Sequence, residues 1–253
     1  GNGLDANDNS NYDGYANSRF TIAVSAVDHK GRQSWYSEPG ANILVASPSS
    51  GGTATVAAGG IVTTDRTGTL GYNTVSTASG GDYCYDFGGT SSATPLVSGV
   101  VALMLDANPN LGWRDVQHVL AGSARKNDPT DAGWSRNGAG RWINDKYGFG
   151  EVDAAAAVGL AKTWSNVAAE VTASSGTVTV GRTVPDNTAA GISSSITLGA
   201  DIKAESVEVT LTARHASRGN LRVVLTSPSG TQSVLADKHA EDRKSTRLNS
   251  SHA

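Results

Sequence analysis

Residues 88–105 read GGTSSATPLVSGVVALML, and this stretch decides the fold. Two glycines allow a sharp turn and leave room beside whatever follows. Small and apolar residues then surround every side of the segment, the pattern of a helix buried in a core. Pro95 falls in the first turn, where a missing N–H costs little, and Asn108-Pro109-Asn110 supplies the stop.

Upstream, 20–27 (FTIAVSAV), 41–46 (ANILVA) and 60–64 (GIVTT) are short apolar, β-branched runs bounded by polar loops, and each reads as a buried strand. Downstream, 113–124 predicts an amphipathic helix with Val116, Val119 and Leu120 on one face. Residues 153–161 (DAAAAVGLA) predict another, with Asp153 as N-cap. Strands alternating with helices predict an α/β layer with a largely parallel sheet. After Trp164 the composition shifts to small polar residues over 165–183, as in a linker. Beyond 192 the period becomes two: Val207, Val209 and Leu211 alternate with Glu208 and Thr210, and Ser227-Pro228-Ser229-Gly230 is a turn signal. That zone predicts an all-β sandwich or jelly roll. The last stretch, 241–253 (EDRKSTRLNSSHA), has neither period and reads as an unstructured tail, either translated adapter sequence or an authentic surface loop.

Composition excludes several functions. Among 253 residues, 20 basic and 23 acidic side chains give a net charge of -3, against a nucleic-acid binder that works by neutralising phosphates. A single cysteine, Cys84, excludes an internal disulfide framework and a cysteine-rich zinc site. The longest apolar run, 96–105, has ten residues and contains Ser98 and Gly99, so no membrane span is expected. The chain opens at Gly1 without methionine, which is the expectation for a piece of a longer protein. Low charge and many small residues suit a secreted protein.

Local sequence leaves two readings at each candidate site. Ser91, at the dipolar tip of a buried helix, is a helix cap or a nucleophile whose oxyanion the first-turn N–H groups would stabilise. The loop 5–13 (DANDNSNYD) is an Asx-rich turn or a calcium loop, because Ca²⁺ takes six to eight oxygens. Cys84 is a loop cysteine or a reactive thiol, though no basic neighbour in sequence lowers its pKa. Trp113, Trp134, Trp142 and Trp164 cover core and domain-interface area or mark a groove.

The wider pattern selects among these. G-T-S-x-A-x-P leading into an apolar helix resembles the nucleophile motif of subtilisin-like serine proteases, and Gly1-Asn2-Gly3 resembles their oxyanion segment. Asp13-Gly14-Tyr15-Ala16-Asn17-Ser18 and Trp35-Tyr36-Ser37-Glu38 resemble the kexin/furin branch, the proprotein convertases. So do Asn108-Pro109-Asn110-Leu111, the segment 113–118 (WRDVQH), and Tyr147-Gly148-Phe149-Gly150 before Asp153-Ala154. Residues 215–230 (HASRGNLRVVLTSPSG) resemble the P (Homo B) domain that follows convertase catalytic domains. The resemblance implies the C-terminal part of a subtilisin-like domain over 1–168, a partial P-domain jelly roll over 169–241, and a tail over 242–253. It also implies Ser91 as nucleophile, Asn2 as oxyanion donor, Asp13 as the acidic receptor of a basic P1 side chain, and Asp8 and Glu38 as Ca²⁺ ligands.

One departure from the family matters. The family's Asp and His precede the oxyanion Asn, a stretch this chain does not contain. None of His29, His118, His215, His239 and His252 stands in the His-Gly-Thr context of the base; His118 reads as facing out of its helix. The expectation is a secreted or periplasmic, calcium-dependent endopeptidase cleaving after basic residues, with a polypeptide substrate, an intramolecular contact to the P domain, and no working triad in this chain alone. An unpaired strand edge and marginal stability are expected with it. The competing reading is a catalytically silent binding or folding-support module.

Overall fold

The computed structural model describes residues 1–55, 57–74, 81–213, 215, 217–239 and 247–250. Two strands, β1 (Ala23–Val27) and β2 (Ile43–Pro48), pair in parallel from Ala23↔Ile43 to Val27↔Pro48. Both are buried almost throughout, as their unbroken apolar sequences require of a parallel layer covered on its faces. Short strands β3 (Gly51–Gly52) and β4 (Ala57–Ala58) follow. β5 (Ile61–Thr64) then pairs antiparallel with β6 (Tyr83–Phe87). Three helices follow, α1 (Thr90–Ala107), α2 (Trp113–Ser123) and α3 (Ala154–Lys162), with the small ladder β7 (Ser135–Arg136) and β8 (Trp142–Ile143) between the last two.

Helix α1 packs on β1, β2 and α3, and α2 packs on β2 and α3. Leu44 and Val45 of β2, Val97, Val100 and Met104 of α1, and Val116, Val119 and Leu120 of α2 form the main core. Each of the larger side chains contributes about 1.5–3 kcal/mol by leaving water. Asp153 caps α3 as predicted, its Oδ1 accepting from the Ala156 N–H at 2.9 Å. At α2 the Asp115 carboxylate accepts from Gly112 N at 2.8 Å, from Val167 N at 2.8 Å and from Trp164 Nε1 at 2.9 Å. Burial alone would push this carboxyl up, but the three N–H donors outweigh it and hold it below its usual range. Gly148 (φ +60°) lies against the Leu44 carbonyl, a close approach that a side chain would block.

The structure departs from the sequence reading in four places. The sheet of the α/β layer, β1–β2, is parallel as expected, but 60–64 is not part of it: this segment forms a separate antiparallel ladder with the unanticipated β6. Helix α1 is buried on one face only, since β1, β2 and α3 cover a single side of it. Leu96, Leu103 and Leu105 are exposed on the other. At 18 residues and a hydropathy of 1.2, α1 is also long and apolar enough to cross a membrane by length and composition, contrary to the count of apolar runs, although it packs as a core helix. Finally, the unstructured-tail reading is corrected at Arg247–Ser250. These residues form β12, paired antiparallel with β9 (Val207–Thr210), whose edge backbone groups need a ladder partner. The rest of 242–253 lies outside the described residues.

Residues 165–206 contain no helix or strand, after which β9, β10 (Val223–Thr226), β11 (Gln232–Ala236) and β12 form two antiparallel ladders. Several contacts dock this β region on the α/β region, among them an apolar one and an ionic one. Leu235 of β11 packs on Ala41. Arg114 of α2 makes a two-pronged contact with Glu205 (Nε–Oε2 2.8 Å, Nη2–Oε1 2.6 Å), and His118 Nε2 lies 3.0 Å from the same carboxylate. Arg114 draws the Glu205 carboxyl down to about 2, and the hydrogen bond from His118 adds to this against partial burial. The folded value lies below the unfolded one, so this contribution is complete above pH about 4.5 and is lost as pH falls towards about 2. Solvent screening at this half-open site limits it to about 1 kcal/mol. Glu205→Gln should therefore lower the melting temperature by a few degrees at pH 6, with the difference from the parent vanishing near pH 2 in a paired thermal titration.

Candidate active site

Strand β6 runs into Gly88 and Gly89, and Gly89 adopts φ +75° and ψ 173°, a backbone conformation essentially reserved for glycine. The turn delivers Thr90 and Ser91 to the first turn of α1. Ser91 is exposed and Ser92 is buried. Ser92 Oγ lies 2.7 Å from Ser49 Oγ and 3.1 Å from the Gly89 carbonyl, so it is a structural hydroxyl. Ser91 is not a cap: the N-cap position is Gly89, with no side-chain capping bond.

Capping comes from 88 residues away. Asn2 Oδ1 accepts from Thr90 N and from Thr90 Oγ1, each at 2.9 Å. With its oxygen held there, the amide presents Nδ2 as its free end, towards Gly89. A first side-chain carbon on Gly89 would stand 3.1 Å from Asn2 Nδ2 and 3.6 Å from Ser91 N. Asn2 Oδ1 stands 3.6 Å from the same point, so two nitrogens that carry N–H groups and one oxygen already engaged by Thr90 surround it; Ser91 N belongs to the first turn, whose amides the helix does not use itself. An oxygen carrying developing negative charge would be stabilised at such a point.

The acidic segment folds beside this. Leu4–Ala6 and Ser10–Tyr12 are single 3₁₀ turns. Glu38 is buried, its Oε1 accepting from Gly3 N at 2.9 Å. A side-chain carbon at Gly3 would meet Asp8 Cβ at 2.9 Å, Glu38 Oε1 at 3.0 Å and Asp8 Oδ2 at 3.4 Å. The two carboxylates therefore lie on either side of Gly3, but no group of three or more His, Cys, Asp or Glu side chains that could hold a metal occurs among the described residues, so these two alone fall short of the six to eight oxygens that calcium takes. Asp13 is exposed; its Oδ1 accepts from Tyr15 N at 2.7 Å and Ala16 N at 3.2 Å, which fixes the carboxylate in an Asx turn.

The histidines are engaged elsewhere. His118 does not face outward: its ring stacks on Trp164 at 6.2 Å and it meets Glu205. His215 Nδ1 lies 2.9 Å from the Ser217 carbonyl, and the His239 ring packs, tilted, against Tyr12 at 4.5 Å. His29 packs against Gly59, and His252 lies outside the described residues. Cys84 donates to Asp86 Oδ1 at 2.8 Å, and that hydrogen bond raises its pKa, the opposite of an activated thiolate. Trp164 and Trp134 serve packing, the latter stacked on Tyr147. Thr90 was missed as a site residue: its role depends on a contact across 88 residues, which no local pattern carries.

Residues 1–150 match the Subtilase family, and residues 204–252 match the proprotein convertase P-domain. The chain belongs to the subtilase family, a family of serine-type endopeptidases. Within it the similarity runs to the furin and kexin branch. The chain is 32% identical to furin-like protease 1 of Drosophila melanogaster, covering 98% of this chain and 21% of that one. It is 34% identical to protease KEX1 of Kluyveromyces lactis, over 96% of this chain and 31% of that one. A solved serine protease of Aeromonas sobria superposes with a TM-score of 0.82 at 28% identity, over 97% of this chain and 50% of that one. The chain thus spans a third or less of these curated relatives and half of the solved one.

Proposed function

We propose that this chain carries the nucleophile, the oxyanion site and the basic-residue pocket of a calcium-dependent endopeptidase that acts outside the cytoplasm. Ser91 Oγ attacks the scissile carbonyl, and Asn2 Nδ2 and Ser91 N–H receive the oxyanion. The proton of Ser91 passes to a histidine oriented by an aspartate, both supplied by residues outside this chain. The observation that supports the reading is that Asn2 Nδ2 and Ser91 N lie 3.1 Å and 3.6 Å from one point beside Gly89, next to the exposed Ser91. Asp13 receives the Lys or Arg side chain at P1 by a charge-assisted hydrogen bond. Asp8 and Glu38 would hold a calcium ion, with further oxygens completing its shell. The ion would supply positive charge that relieves repulsion between the two carboxylates and stiffens the loop. In this reading, 1–168 is catalytic-domain sequence and 169–241 belongs to the P domain.

A peptide library in which P1 alone varies tests this in a polypeptide that also contains the base. Cleavage should concentrate after Arg and Lys. Asp13→Ala should reduce the preference for these over Leu by about tenfold or more, since one charge-assisted bond is worth about 1.5–3 kcal/mol. Cleavage indifferent to P1 charge would refute the assignment of Asp13.

A further inference from the structure

Between Asp8 and Asp13 the chain does not stand alone. Asn11 is fully buried, and its Nδ2 donates to the Leu235 carbonyl of β11 at 2.9 Å. Tyr12 is 5% exposed, and its hydroxyl makes a paired contact with one residue just past β11: it donates to the Asp237 carbonyl at 2.6 Å and accepts from Asp237 N at 2.7 Å. The Tyr12 ring packs at a tilt of 38° against His239 of the same segment. On its other side the loop is tied to the α/β region, where Ser10 Oγ donates to Asn42 Oδ1 at 2.6 Å and Asn42 Nδ2 donates to the Ala16 carbonyl at 3.0 Å. Asn17 Nδ2 closes the loop on the Asn11 carbonyl at 2.9 Å. Burial pushes the Tyr12 pKa up, so the hydroxyl keeps its proton and remains a donor throughout the neutral range.

These contacts join the end of a strand in one region to two of the four residues that lie between a candidate cation ligand and the candidate P1 receptor. We infer that Asn11 and Tyr12 are positioning residues, through which the end of β11 holds the spacing of Asp8 and Asp13. The β region is then not only a packing partner. Its ordered backbone at 235–237 is a template for the shape of the acidic loop, and loosening it weakens cation binding and basic-residue selection together. This consequence rests on the roles given above to Asp8 and Asp13; the templating itself does not.

Two variants test it in the 253-residue chain. Tyr12→Phe removes one oxygen and keeps the ring on His239. Asn11→Leu keeps the approximate size and removes the donor to Leu235 without adding a charge. Amide hydrogen exchange over 8–17 should quicken about tenfold in each, with exchange in α1 unchanged, because a buried hydrogen-bonded group is lost from the loop alone. Calcium titration should show half-saturation moving up about fivefold or more, while the melting temperature in chelator shifts little. Unchanged exchange over 8–17 in both variants overturns the inference. Equal quickening in α1 also overturns it, by showing general destabilisation in place of templating. If the parent chain takes up no calcium while the loop still loosens selectively, templating is supported and the cation role of Asp8 fails, so the two ideas are separated by one data set.

Discussion

Replacing Asn2 with alanine should lower turnover on peptide substrates by about 10²–10³-fold, with little change in KM, in a polypeptide that also supplies the base. The side chain has two ends with two tasks. Its oxygen caps α1 through Thr90, and its nitrogen faces the point that the oxyanion would occupy. The carbonyl oxygen of a bound peptide is neutral and gains little from that nitrogen. The charge that develops on attack gains much more, so the loss falls on kcat. Asn2→Asp separates the tasks. A carboxylate still accepts from Thr90, and it suits the positive end of the helix dipole. Stability should therefore be held or raised by a few tenths of a kcal/mol, whereas the alanine variant should lose about 1 kcal/mol of capping. Turnover in the aspartate variant should nevertheless fall at least as far as in the alanine variant, because a negative charge replaces the donor. A side chain whose importance was only structural would show the reverse order.

The core elements were legible where one local signal carried them. The near-continuous apolar runs that became β1 and β2, the capping Asp153 of α3 and the Val116–Val119–Leu120 face of α2 each have a short-range cause. Strand β6 was not legible: Tyr83-Cys84-Tyr85-Asp86-Phe87 sits mostly exposed, so burial leaves no period in it. The same limit explains α1. Its composition reads as buried all round, but which face is covered depends on packing against β1, β2 and α3, which composition does not encode. β12 was read as tail because a strand recruited by an exposed neighbouring edge needs no apolar alternation of its own. At the site, Ser91 was legible from the glycines before it and the helix after it. Its distinction from Ser92 was not, since it turns on the hydroxyl of Ser49 reaching one serine and not the other. The links from Thr90 to Asn2 and from Tyr12 to Asp237 bridge 88 and 225 residues, and only the folded chain brings them together.

The competing view, a binding or folding module without chemistry, parts from the enzymatic one at Ser91. A fluorophosphonate probe phosphorylates only a serine whose oxygen is both activated and able to place the new P–O⁻ in an oxyanion site. In the proposed reading Ser91 takes the oxyanion site from its own chain and the base from elsewhere. Labelling should therefore be negligible in the 253-residue chain. In a polypeptide extended to include the base it should be fast, by a factor of about 10³ or more, since residual catalysis without a triad member falls by orders of magnitude. Mass-spectrometric mapping of the adduct is the most direct measurement. The account predicts a single adduct on Ser91, abolished by Ser91→Ala; an adduct on Ser92 or another residue, or labelling that survives Ser91→Ala, would contradict it.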